Sequence, residues 1–260
     1  NRFVLQSNTF SGLFEQQNVI TLVRVSSTNE FLKKELSKST PLPEGTVILA
    51  VDQYKGRGQL GATWYSEPGK NLTFSVLLKP DFLLPRQQFC LTAAVSLAVA
   101  DWVEATVGVP ATIKWPNDIY VGDRKIAGIL IENMLKGRVW KTAILGIGIN
   151  VNQTEFPDDI QHRTTSIKQI LHRDCELLEL LRELCGYLDR EYLLLRQGKS
   201  ASQLARYEER LYRRGVRHAF LVDGIRVDGV LTGVLESGRL RVDFGGHEVS
   251  FDIKEISFVV

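Results

Sequence analysis

Residues 86–107 read RQQFCLTAAVSLAVADWVEATV, a long helical stretch that is apolar almost throughout. Such a helix has little solvent face to offer, so the chain must supply enough surrounding structure to bury it. Strand-like runs on both sides provide that cover: VITLVRV (19–25), TVILAVD (46–52), 72–79, 111–114, 119–121, 125–132 and TAILGIGINV (142–151). Their β-branched content and the turn residues between them mark them as strands. Ser27-Thr28-Asn29-Glu30 reads as a capping box opening a helix to about Lys38, and Pro41-Leu42-Pro43-Glu44-Gly45 as a turn. Two further helices are expected at 176–197 and 200–213. Helices and strands do not alternate regularly, which predicts an α+β fold: a mixed β-sheet flanked by helices. From Val216 the pattern changes to FLVDGIRV, GVLTGVLE, GRLRVDF and HEVSFDI, short strands punctuated by glycine and aspartate. That predicts a small β-barrel, and a division into residues 1–213 and 214–260.

Charge excludes some functions. The 32 basic residues nearly cancel the 30 acidic ones, leaving +2. No whole-surface attraction for nucleic acid is expected. Cys90, Cys175 and Cys185 form no metal-ligand spacing and are odd in number, so they are expected to be reduced thiols of a cytoplasmic protein. No apolar run is expected to span a bilayer, which needs roughly 18 residues. The start, Asn1-Arg2-Phe3, carries no signal-peptide pattern.

Three clusters carry the chemistry. Gly56-Arg57-Gly58-Gln59-Leu60-Gly61 satisfies G-x-G-x-x-G and follows a strand, but the residues after it do not open a helix. A dinucleotide loop is therefore disfavoured, and a Walker A loop is excluded because no Gly-Lys-Ser/Thr follows. A plain turn needing positive φ remains open, as does an anion site made of bare amides and the Arg57 guanidinium. Lys114-Trp115-Pro116-Asn117-Asp118 is a rigid bend, because Pro116 blocks helix there and disfavours it at Trp115. A turn at Gly122-Asp123 would bring Lys125 back beside Asp118, giving a Lys/Asp/Lys constellation or merely a surface ion-pair ladder. Gly146-Ile147-Gly148-Ile149-Asn150-Val151-Asn152 reads either as a buried strand with a close backbone approach or as a ligand contact.

Taken together and in this order, GRGQLGATW (56–64), KWPND (114–118), KIAGILIE (125–132) and GIGINVN (146–152) resemble the biotin–protein ligase catalytic domain. Ser27-Thr28-Asn29 resembles that family's helix start, and Gln53 its biotin-contacting glutamine. The resemblance covers roughly residues 20–260 and implies that the terminal β unit is SH3-like. It implies that biotin and ATP form biotinyl-5'-AMP, with Mg2+ on the phosphates, and that biotin then passes to a lysine of a biotin carboxyl carrier protein. No protein-bound metal site is implied. On this resemblance Asp118, Lys125 and Arg57 are the catalytic residues. Ser27, Thr28, Asn29, Gln53, Gly56, Arg57, Gly58, Gln59, Trp64, Lys114, Asn117, Lys125, Gly128 and Asn150 are the binding residues. A monomer or homodimer is implied. Some members carry an N-terminal DNA-binding domain and act as repressors. With about 18 residues before the strand at 19–25, the expectation is the type without that domain, binding neither nucleic acid nor membrane.

The chain departs from the family pattern where arginines are common: Gln59 and Ala62 are uncharged, and Val259 stands where a basic residue is usual. Weaker retention of the adenylate is expected from the first, and a nucleotide contact from the terminal unit is in doubt from the second. The competing readings are a lipoate–protein ligase or octanoyltransferase, whose RRxxGGGxVxHD segment is absent, and a non-enzymatic biotin- or nucleotide-binding regulator. The regulator would not need Asp118 and Lys125 together.

Overall fold

A computed structural model describes residues 4–9, 18–40, 42–137 and 139–259, the first of these segments by its backbone only. Asn1-Arg2-Phe3 and Pro41 of the sequence reading lie outside the described residues. In chain order the elements are β1 (Val4–Thr9), β2 (Asn18–Val25), α1 (Thr28–Leu36), β3 (Val47–Gln53), β4 (Gly56–Arg57), β5 (Thr63–Trp64), β6 (Leu72–Leu78) and α2 (Gln88–Val107). They continue with β7 (Ala111–Lys114), β8 (Asp118–Val121), β9 (Arg124–Lys136), β10 (Val139–Ile149), α3 (Asp158–Gln161), α4 (Ile167–Leu171), α5 (Leu177–Arg196) and α6 (Ser200–Glu209). The last strands are β11 (Arg217–Val222), β12 (Ile225–Val234), β13 (Leu240–Asp243), β14 (Glu248–Phe251) and β15 (Ile256–Phe258).

Eight strands form one sheet in the order β1-β2-β3-β6-β10-β9-β8-β7. Only β2 and β3 run parallel, so the sheet is mixed, as expected. Both faces of its centre are covered. Val47, Leu49, Phe74, Val76, Leu145, Ile147 and Ile149 join the large core around α2. The alternate residues Ile48, Leu77 and Ile144 pack with Leu32 of α1 in a second cluster. Period-two alternation sends successive side chains to opposite faces: in β6, Leu72, Phe74, Val76 and Leu78 turn to the large core and Thr73, Ser75 and Leu77 to the other face, all of them buried.

α2 corrects one expectation. With the turn before it, the helix is long and apolar enough to cross a bilayer, yet 72% of its most apolar window is buried inside the fold. It packs against α5 and α6 and against the sheet, as the core helix that the sequence pattern demands.

Other differences lie at element ends. β9 and β10 extend past the predicted limits because each supplies the other's ladder as far as the Lys136–Val139 pair. Asn150 and Val151 leave the strand to bond Ile126 and the Asn71 side chain. α6 stops at Glu209 because the next residues pair with the edge strand β7: Ile113 N–H donates to Arg210 O at 2.8 Å and Tyr212 N–H to Ile113 O at 2.9 Å. The strand β1 and the short helices α3 and α4 are additions to the elements that the sequence predicts.

The last five strands form an antiparallel sheet in the order β14-β13-β12-β11-β15. Its buried Phe220, Leu231, Val242 and Phe251 belong to the same core cluster as α2. Two polar ties fix this unit to the bend after β7 and to α6: Trp115 Nε1–H donates to Gly238 O at 2.9 Å, and Val234 N–H to Glu208 Oε1 at 2.8 Å. A third bond anchors the bend between β7 and β8. Tyr207 is fully buried and its hydroxyl donates to Pro116 O at 2.8 Å. Tyr207→Phe leaves that carbonyl without its donor and should lower unfolding free energy by about 1–3 kcal/mol. Denaturant titration of the two proteins measures this.

Candidate active site

Alternate residues on the α1 face of the sheet are small. Thr73 and Ser75 of β6, Gly146 and Gly148 of β10 and Gly128 of β9 lie beside one another in register. Side chains at these positions would fill the space that two elements use. A Cβ on Gly146 would come within 2.6 Å of Asn29 Oδ1, and one on Gly148 within 2.4 Å of the Trp64 indole. The glycines of GIGIN therefore form a floor over which α1 and Trp64 approach the backbone.

Above this floor lies a cavity of about 490 Å³. One end is polar and uncharged. The N-terminus of α1 brings Ser27, Thr28 and Asn29 to it, all buried. Gln53, at the end of β3, accepts from Thr28 N–H at 2.9 Å and from the Thr28 hydroxyl at 3.2 Å. Its amide orientation is thereby set, with Oε1 engaged and Nε2 left as the donor. The Ser75 hydroxyl donates to Asn29 Oδ1 at 2.5 Å, and Asn29 Nδ2 donates to Glu132 Oε2 at 2.8 Å. Asn117, also in the wall, donates to Ile129 O.

The other end is cationic. It is lined by Lys114, Lys125, Arg163 and Lys254, against Asp118 as the carboxylate; Arg57 also lines the cavity, but beside α1, where it pairs with Glu30 and Glu132. The β7–β8–β9 ladder pairs Lys114 with Asp118 and Asp118 with Gly128. Across it, Lys125 Nζ lies 2.7 Å from Asp118 Oδ1, both side chains being about one-third exposed (30% and 31%). The predicted hairpin thus places its two charged groups in contact. Lys114 is more deeply placed: Nζ donates to the Tyr120 hydroxyl at 3.3 Å and sits 5.1 Å and 5.3 Å over the Tyr120 and Phe258 rings. Burial lowers its pKa below the usual lysine value, and the field of Asp118 opposes that shift.

The glycine segment is a tight hairpin, not a helix start. β4 pairs with β5, placing Gly56 opposite Trp64 and Arg57 opposite Thr63. A Cβ on Gly56 would lie 2.4 Å from Trp64 O, so the close approach requires glycine there. Gly58 and Gln59 line the cavity, whereas Gly56 serves the hairpin. The indole of Trp64 lies over Gly148 and Gly128, with Lys125 Nζ 5.7 Å from its ring. Its buried Nε1–H has no acceptor among the described residues, a donor left for a ligand or solvent.

Asn150, expected at the nucleotide, does not line this cavity. Its Nδ2 donates to Thr165 O at 3.0 Å, and its backbone bonds Ile126 and Ile167. It holds the segment after β10 against β9. Arg57 lines the cavity with its guanidinium paired to Glu30 at 2.6 Å and Glu132 at 3.3 Å. Sequence reasoning missed Arg163 and the terminal unit. Arg163 belongs to a segment docked beside β9 by Lys125 N–H to Arg163 O at 2.9 Å and Thr165 N–H to Lys125 O at 2.9 Å. Lys254, Ser257 and Phe258 reach the wall from the small sheet, although Val259 carries no charge. No local motif announces these residues, because only long-range packing brings them in. Among the described residues no group of three or more His, Cys, Asp or Glu side chains could hold a metal.

Comparison with known proteins agrees with this architecture. Residues 22–150 match the Biotin/lipoate A/B protein ligase family. The bifunctional ligase/repressor BirA of Bacillus spizizenii is 39% identical over 171 residues, covering 65% of this chain and 50% of that protein. The chain thus spans about half the length of the Bacillus relatives it matches. The biotin–[acetyl-CoA-carboxylase] ligase of Mycobacterium tuberculosis is 29% identical, covering 88% of this chain and 84% of that one. Among solved structures, the Aquifex aeolicus biotin protein ligase in complex with biotin and ATP superposes with a TM-score of 0.78, at 29% identity over 93% of this chain and 98% of that one. A point mutant of the same Aquifex protein, in complex with biotin, is 30% identical over 93% of this chain and 97% of that one, with a TM-score of 0.77. The chain belongs to the biotin/lipoate A/B protein ligase family.

Proposed function

We propose that the chain ligates biotin to a lysine of a biotin carboxyl carrier protein, using ATP and passing through biotinyl-5'-AMP. The observation that carries this reading is the contact of Lys125 with Asp118 between a neutral polar pocket end and a cationic one. The volume suits a small organic ligand, for which roughly 300–1,000 Å³ is usual. The uncharged donors and acceptors of Ser27, Thr28, Asn29 and Gln53 suit a ureido ring, and the lysines and arginines suit a carboxylate and phosphates. The relatives' names point the same way.

In the first half-reaction the biotin carboxylate attacks the α-phosphorus of ATP, the bond to the bridging oxygen breaks, and pyrophosphate leaves. Both reactants are anions, so fixed cations lower the barrier by meeting charge as it builds. On this reading Lys125 meets the charge of the new acyl phosphate, and Lys114 and Arg163, which line the same cavity, add to the positive field. Magnesium, when bound, offsets phosphate charge. Asp118 is the wall's carboxylate and is committed to Lys125, which fits an ion carried in on the nucleotide rather than a resident metal.

In the second half-reaction the acceptor amine attacks the acyl carbon and AMP departs with the electrons of the broken C–O bond. At pH 7 the neutral amine costs about 4–5 kcal/mol to produce from a lysine of pKa about 10.4. Lys125 engages Oδ1 of Asp118. The other carboxylate oxygen is available to orient the incoming ammonium and receive its proton.

Mass spectrometry of a carrier domain incubated with the protein, ATP and biotin tests the assignment. A gain of one biotin is expected; modification only when lipoate replaces biotin would overturn it. Asp118→Ala should keep biotin binding but slow transfer to the carrier by about a hundredfold, read by following carrier mass with time. Lys125→Ala should reduce biotin-dependent pyrophosphate release by about a hundredfold or more; normal release would remove Lys125 from the first step. Lys114 carries charge only below its lowered pKa, so KM for ATP should rise as pH increases through that value. In Lys114→Arg, which stays charged, the rise should move to higher pH, as a pH profile of KM would record.

A further inference from the structure

The hairpin's arginine is already occupied. Arg57 Nη2 donates to Glu30 Oε1 at 2.6 Å and lies 3.3 Å from Glu132 Oε2. Lys33 bridges the same two acids, 3.2 Å from Glu30 Oε1 and 2.7 Å from Glu132 Oε1. Two cations and two carboxylates therefore cancel within one cluster. The sequence reads Glu30 as the second half of a capping box. Its backbone N–H does meet Ser27 Oγ at 3.5 Å, but its carboxylate turns to Lys33 and Arg57. The hydrogen bond from Lys33, followed by the fields of Lys33 and Arg57, holds the Glu30 carboxyl below the usual range against a burial effect that raises it.

We propose that Glu30 is a positioning residue that competes with the anionic substrate for Arg57 and so sets nucleotide affinity. This rests on the ligase reading. Gln59 and Ala62 carry no charge, so Arg57 is the hairpin's single cation between Gly56 and Trp64. While Glu30 holds it, that cation contributes little net field to the cavity it lines. Engaging a phosphate requires the guanidinium to exchange partners. Lys33 keeps the exchange inexpensive in free energy: it remains bonded to both acids, and Asn29 Nδ2 remains on Glu132 at 2.8 Å. Neither carboxylate is left unpaired when Arg57 moves, which avoids the main penalty of breaking a charge pair. The bond lost is a partly exposed one, side chains 43% and 36% accessible, so the competition is modest and tunable.

Direct titration of the protein with ATP at low ionic strength tests this, using Glu30→Gln, Arg57→Ala and the double variant. Glu30→Gln should bind ATP about fivefold more tightly. Arg57→Ala should bind it more weakly, and adding Glu30→Gln to Arg57→Ala should change nothing further. Unchanged or weaker binding in Glu30→Gln would overturn the proposal. So would the same gain appearing without Arg57, since a general effect of removing a negative charge does not need that partner. Thermal unfolding of each variant confirms that the folded protein is titrated. Biotin-dependent exchange of labelled pyrophosphate into ATP by the wild-type chain reads the ligase assignment separately. Loss of exchange with intact ATP binding would sink that assignment and leave the Glu30 result standing on its own.

Discussion

The sheet has to serve a core and a cavity through one alternation of side chains. On β6 and β10, Phe74, Val76, Leu145, Ile147 and Ile149 turn to α2 and make the core. The residues between them turn to α1: Thr73, Gly146 and Gly148 line the cavity, and Ser75 bonds Asn29 of α1 beside it. Full-sized side chains on that face would bury more apolar surface, at about 25 cal/mol per Å², but would occupy the space above the backbone. The fold accepts a thin face there because α2, buried along most of its length, stabilises the other. Asn29, Trp64 and the cavity itself all depend on this asymmetry.

Electrostatics is arranged on that base by strand pairing. β7, β8 and β9 are joined by short turns and paired in one ladder, so Lys114, Asp118 and Lys125 reach one wall without a long loop. Rigid elements hold such a constellation more closely than loops do. Among the described residues the only carboxylate in the lining is paired, whereas Lys114 has no acidic partner within bonding distance. An anion entering the cavity supplies what Lys114 lacks and recovers part of the cost of its burial. The small sheet adds Lys254 and Phe258 from outside the main sheet, so its packing on Trp115 and Glu208 bears on the site as well as on stability.

Much of the site is legible in local patterns. The bend at Pro116 and the turn at Gly122 suffice to predict that Lys125 returns to Asp118, because a hairpin's register follows from its turn. The start of α1 is legible from its capping residues, but its part in the site, like that of Gln53, is legible only through the family resemblance. The glycine hairpin is half legible: its sequence rules out a helix start, but Trp64 lying over Gly148 cannot be foreseen from either segment alone. Asn150 shows the converse. Its place in the GIGIN pattern suggests a ligand contact, and the fold uses it to bond Thr165 instead.

The sequence by itself determined the elements other than β1, α3 and α4, the mixed sheet around one apolar helix, and the two charged groups of the β8–β9 hairpin, because these follow from periodicity and from contacts a few residues apart. Tertiary structure alone decided which partners Arg57 takes, that Arg163 and Lys254 join the wall, and that Asn150 stays out of it. Long side chains reach several partners from one backbone position, and the choice among them depends on what distant segments bring within about 4 Å. Glu30, 27 residues from Arg57 in the chain, and Glu132, 75 residues from it, settle that choice.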